Sequence, residues 1–175
     1  MAVQLSALAL ALALAATPMT LEVARRGDAI VLSVALAEEL PEALAERLST
    51  GATTEIDYAL RVYAPRKLIP DRRVWKATAT ATVTFDAVTG RYLCQFIVNG
   101  DTTASREVDT LEAARGWLRS PPVVEFVVPP GRRDDLLKVR ARAIFASGTS
   151  WLIFPTTEGT EWVEVQVEAT ADDDA

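Results

Sequence analysis

Residues 74–98 read VWKATATATVTFDAVTGRYLCQFIV, and the alternation in this stretch decides the fold class. Trp75, Ala77, Ala79, Ala81, Val83 and Phe85 fall on one side of an extended chain. Lys76, Thr78, Thr80, Thr82, Thr84 and Asp86 fall on the other. Period-two alternation of this kind marks a strand with one buried and one wet face. Asp86 to Gly90 carries a turn in which Gly90 is free to adopt positive φ. The return strand sets Tyr92, Cys94, Phe96 and Val98 against Arg91, Leu93, Gln95 and Ile97, apolar enough on both sides to predict cover on both. One long β-hairpin therefore organises the chain.

Working outward, the same alternation recurs. Residues 20–36 form a second hairpin, turning at Arg25-Arg26-Gly27-Asp28. Its Arg-Gly-Asp tripeptide is ordinary turn chemistry here, since Gly and Asp both favour turns. Residues 38–51 predict a helix. Pro41 suits the first helical position, Leu40, Leu44 and Leu48 make one apolar stripe, and Gly51 suits the C-terminal cap. Residues 53–64 alternate again, with Ile56, Tyr58, Leu60, Val62 and Ala64 inward. Residues 65–73 read as a loop bounded by prolines.

Past the central hairpin, Asn99-Gly100-Asp101 is a turn, and residues 102–108 are too polar to decide between strand and loop. Residues 109–119 predict a second helix, with Asp109 and Glu112 at capping-box spacing and Leu111, Ala114, Trp117 and Leu118 buried. Short apolar strands follow at residues 123–128 and 138–145. On the latter, Lys138, Arg140 and Arg142 form a cationic stripe. The last strand, residues 161–169, presents Glu164, Gln166 and Glu168, and pairing the two would balance the charge. About eight strands, two short helices and no strand–helix alternation predict a mainly β fold, an antiparallel β-sandwich.

Composition bounds the function. The chain of 175 residues is half hydrophobic, which suits a single domain over residues 17–170 with a sizeable core. Residues 5–16 are an uncharged Leu/Ala run ending in a small-x-small pattern, read as a signal peptide (residues 1–16) cleaved near Ala15 and Ala16. That run falls short of the about 20 apolar residues a bilayer span requires, so no transmembrane span is expected in the mature chain. The expected location is the periplasm or another exported compartment. Residues 171–175 form an acidic tail. A net charge of -6 disfavours nucleic acid as a partner. The chain has no histidine and a single cysteine, Cys94. It therefore lacks the commonest general base, the commonest zinc ligand and any internal disulfide. No catalytic residue, cofactor or metal ligand is assigned.

Two kinds of contact surface are legible. Basic loops at Arg66, Lys67, Arg72 and Arg73, and at Arg132 and Arg133, could hold an anionic ligand, an anionic lipid or a partner. Trp151, Leu152 and Phe154 form an apolar cluster in a connecting segment, which folds back on the core or meets a partner. Three function classes follow. The first is a non-enzymatic binding or accessory module whose partner is an envelope or membrane protein. The second is an assembly subunit using a sheet edge. The third is a carboxylate-pair hydrolase drawing on Glu55, Asp57, Glu125, Glu158 or Glu161, which requires two acids about 5–9.5 Å apart in a cleft.

The order of these features resembles the bacterial domain-of-unknown-function family 4390. The resemblance rests on Leu40, Leu44 and Gly51 in the first helix, Trp75 ahead of the long strand, Thr89 and Tyr92 at the hairpin turn, and Thr110 to Ala114 in the second helix. Where that family carries a Leu-Pro segment near the C-terminus, this chain has Phe154-Pro155. The resemblance implies an exported envelope protein with an accessory role, since members can be encoded near two-component sensor kinases.

Overall fold

A computed structural model describes residues 19–37, 39–129, 136–149 and 155–168. In chain order the elements are β1 (Met19–Arg26), β2 (Ala29–Leu36), α1 (Glu42–Ser49), β3 (Thr54–Ala64), β4 (Arg72–Asp86), β5 (Arg91–Val98) and β6 (Asp101–Val108). Then follow α2 (Leu111–Arg119), β7 (Val124–Val127), β8 (Leu137–Thr149), β9 (Pro155–Gly159) and β10 (Val163–Val167). All pairings are antiparallel. A small sheet runs β1-β2-β7, and a large sheet runs β10-β8-β3-β4-β5-β6 with β9 also paired to β8.

The two sheets enclose one core. Large-sheet residues Ile56, Tyr58, Leu60 and Val62 of β3, Ala79, Ala81 and Val83 of β4, and Val139 and Ala141 of β8 are buried. They share that core with Ile30, Leu32 and Val34 of β2 and with Phe126 of β7. Small alanines on β4 let the opposite layer come close, and Trp75 closes the gap against Phe126, ring centroids 5.0 Å apart. Both helices pack into the same core through Leu44 and Leu48 of α1 and Ala114, Trp117 and Leu118 of α2. Tyr58 Oη donates to the Leu118 carbonyl (2.6 Å), and Trp117 Nε1 donates to the Gln95 carbonyl (3.2 Å). These bonds tie α2 to β3 and β5 while satisfying polar atoms of aromatic side chains that would be costly to bury unpaired.

The antiparallel sandwich and the two helices are as the alternation predicts, with differences in detail. Ten strands are present among the described residues. The additional ones are β6, whose sequence is polar, and β9, inside the segment read as a connector. β6 forms because Asn99 (φ 53°) and Gly100 (φ 98°) both take the left-handed conformation of a two-residue hairpin turn. Helix α1 starts after Pro41, not at it: ψ of 139° leaves Pro41 extended, outside the helix, while its carbonyl accepts from Leu44 and Ala45. Thr110, not Asp109, caps α2, its Oγ1 accepting from Ala113 N (3.2 Å). Asp109 instead pairs with Arg91 (3.0 Å). β5 is buried on its Cys94 and Phe96 side, while on the other side Gln95 and Ile97 are half-buried and Leu93 is exposed. Arg72 and Arg73 belong to β4, not to the preceding loop.

Candidate functional site

The outer face of the large sheet sets like charges on directly paired strand positions. It is built by register. Arg61 of β3 lies directly opposite Lys76 of β4 on one side and Arg140 of β8 on the other. Arg140 in turn lies opposite Glu164 of β10. One row across four strands thus reads Lys76, Arg61, Arg140, Glu164. Like charges on directly paired strand positions destabilise a sheet. Among the described residues only the Glu164 end is neutralised, by an ion pair to Arg140 Nε at 2.6 Å.

Aromatic side chains relieve part of the strain. The Arg61 guanidinium lies 4.5 Å from the ring centroid of Trp162, and that of Arg142 lies 5.0 Å from the same ring. Arg140 also lies over Tyr63, at 5.8 Å. Each such contact is worth roughly 0.5–1 kcal/mol at an exposed site. Lys76 has no ion pair among the described residues. Next to it, Ala59, Arg61, Lys76, Thr78 and Asn99 line an open hollow of about 300 Å³. The hollow is firmly framed. Asn99 Oδ1 accepts from Thr78 N (3.1 Å), and Asn99 N donates to the Thr78 carbonyl (2.9 Å). The hollow can take an anionic group against two cations, a threonine hydroxyl and an amide.

The neighbouring row continues the charge. Arg73 lies opposite Tyr63, which lies opposite Lys138. Lys138 Nζ is paired with Asp71 Oδ2 at 3.0 Å. That hydrogen bond, before any other influence, holds the Asp71 carboxyl below its usual range. Of the basic residues singled out in the sequence, Arg73 joins this face. Arg66 and Lys67 stand exposed in the loop between β3 and β4, and Arg72 is exposed at the start of β4. Arg132, Arg133, Trp151, Leu152 and Phe154 lie outside the described residues, as do the apolar run of residues 5–16 and the acidic tail.

Of the acids singled out for a hydrolase, Glu55 and Asp57 share the outward face of β3, and Glu125 lies on β7 of the other sheet. Glu158 and Glu161 lie near β9. Asp57 is engaged by Thr80, whose hydroxyl donates to Oδ1 at 2.6 Å. No group of three or more His, Cys, Asp or Glu among the described residues could hold a metal ion. Cys94 is buried, and that burial pushes its thiol pKa up, with Arg106 opposing. No helix among the described residues is long and apolar enough to cross a membrane.

The sequence showed the β8 cationic stripe and its acidic partner on the last strand. Arg140 and Glu164 indeed pair, although Lys138 faces Gln166 and takes its ion pair from Asp71. The row itself was not legible, because Arg61 meets Arg140 only through the β3–β8 pairing, which joins segments far apart in sequence. The one available signal was that Arg61, Lys76 and Arg140 each occupy a wet position of an alternating strand.

No curated protein and no solved structure matches the chain. A family profile described as Domain of unknown function (DUF4390) matches residues 15–143. The match ends within β8, so Trp162 and Glu164 lie beyond it. Spanning β1 to most of β8, and most of the chain, this match shows that the protein belongs to the DUF4390 family.

Proposed function

We propose that this protein is an exported, non-enzymatic binding module of the cell envelope that engages an acidic partner protein through the outer face of its large sheet. One observation carries the reading. The row Lys76–Arg61–Arg140 sets cation against cation on three adjacent strands, with Glu164 at one end only. Such an arrangement works against the fold, and an anionic partner would relieve it. The net charge of -6 makes this face an exception on an otherwise acidic chain. Export rests on the Leu/Ala run of residues 5–16.

The test is a pull-down from native envelope extract with wild-type chain and with Lys76→Glu. An acidic protein is expected to co-purify with the wild type, to elute as salt is raised, and to be lost with Lys76→Glu. Equal recovery on both chains would refute the role of this face. A second reading, assembly by strand addition, is favoured by β6, which is eight residues long and ends the large sheet. In that case a proline in β6 would abolish the partner while Lys76→Glu left it bound.

A further inference from the structure

We infer that the loop between β3 and β4 is a membrane-docking device, which sets Leu68 and Ile69 into the headgroup boundary of an anionic phospholipid bilayer. Leu68 is fully exposed, at 103%, and Ile69 is 55% exposed. Burial in the core does not explain either residue. Moreover, Leu68 has φ of 68°. Among the described residues the other positive-φ positions are glycines and Asn99, types that suit this conformation. A leucine there is sterically disfavoured and gains nothing from the fold in return.

The loop is also held. Asp71 Oδ1 accepts from Arg66 N at 3.3 Å, closing the loop on itself, while Lys138 grips Asp71 Oδ2 from β8. An apolar tip is therefore presented on a braced base. Around that base stand Arg66, Lys67, Arg72 and Arg73, all exposed. The one carboxylate among them, Asp71, is already taken by Lys138. Apolar residues at a tip with a basic rim match the two requirements of an anionic bilayer surface: aliphatic groups for the acyl boundary and cations for the phosphates. Because the chain is acidic as a whole, this end would lead in any approach to such a surface.

The molecule contains its own control. Val88, at the β4–β5 turn, is 95% exposed, but the cation at the base of that turn, Arg91, is already paired with Glu107 and Asp109. In the test, an environment-sensitive fluorophore is attached to full-length chain carrying Leu68→Cys or Val88→Cys. The native Cys94 is buried, so the introduced thiol takes the label. With vesicles of phosphatidylcholine plus phosphatidylglycerol, the position-68 label should shift to the blue and the position-88 label should not. Pure phosphatidylcholine should give little response at either. In co-sedimentation, Leu68→Ser with Ile69→Ser should lower partitioning at least about tenfold, and Lys67→Gln alone about fivefold. Equal responses at positions 68 and 88, equal binding to both vesicle types, or unchanged sedimentation of the double variant would each overturn the proposal.

Discussion

Tyr58 shows how a single side chain links two elements. Its ring is fully buried, its hydroxyl reaches a carbonyl in the last turn of α2, and burial pushes its pKa up. Tyr58→Phe leaves the Leu118 carbonyl without that donor and should cost about 1–2 kcal/mol in a urea titration. Leu68 has the opposite character. Removing the left-handed strain is worth about 1–2 kcal/mol, against roughly 0.5–1 kcal/mol for the extra freedom of glycine in the unfolded chain. Leu68→Gly should therefore raise stability by about 0.5–1 kcal/mol while weakening the vesicle binding inferred above. The carboxyls of Asp71 and Asp86 are both held below the ordinary value of 3.8. For Asp71 the chief cause is the Lys138 hydrogen bond; for Asp86 it is the Val88 amide, aided by the Thr89 hydroxyl. A carboxyl lowered on folding stabilises the native state fully above its unfolded value, and that contribution fades as pH falls through the lowered folded value. The unfolding midpoint should hold steady above about pH 5 and drop below about pH 4. Asp71→Asn and Asp86→Asn should flatten the drop.

At the scale of elements, the helix ends separate what the sequence announces from what it leaves open. Both helices were legible because their apolar residues recur at helical spacing. Their first residues were not: Pro41 stands extended just outside α1, and two cap-type side chains stand side by side before α2, either of which could serve. Thr110→Ala should cost about 1 kcal/mol, and Asp109→Ala, which breaks only an exposed ion pair, less than half of that. The strands of the central hairpin could be read almost residue by residue, since a buried inner face fixes register and a one-residue slip would expose it. β9 could not. Its place depends on Gly159 approaching β8 so closely that a Cβ there would run into the Ala143 carbonyl oxygen. Thr160 then locks the junction, accepting from Ala143 N at 3.0 Å. Gly159→Ala should detach the end of β9 from β8, visible as faster amide exchange at Ala143.

For the whole molecule, alternation identifies the layers but not which distant strands are neighbours. Antiparallel pairing of β4 with β5 follows from a short turn. The pairing of β3 with β8, and of β2 with β7, follows only from how the two sheets close over a common core. The candidate site depends on those long-range pairings, so its members were visible singly and their alignment was not. The charge row also sets stability against binding. Lys76→Glu places a carboxylate opposite Arg61 and should stabilise the fold by roughly 0.2–1 kcal/mol. A variant that is more stable yet binds less is what a binding face held at a cost to the fold predicts. The most direct test places a photocross-linking residue at Thr78, exposed beside the hollow, or at Glu125, exposed on the other sheet. In living cells an adduct with one acidic envelope protein should form from position 78, fail from position 125, and disappear when Lys76→Glu is added. An adduct from position 125 alone, or one from position 78 that survives Lys76→Glu, would contradict the account.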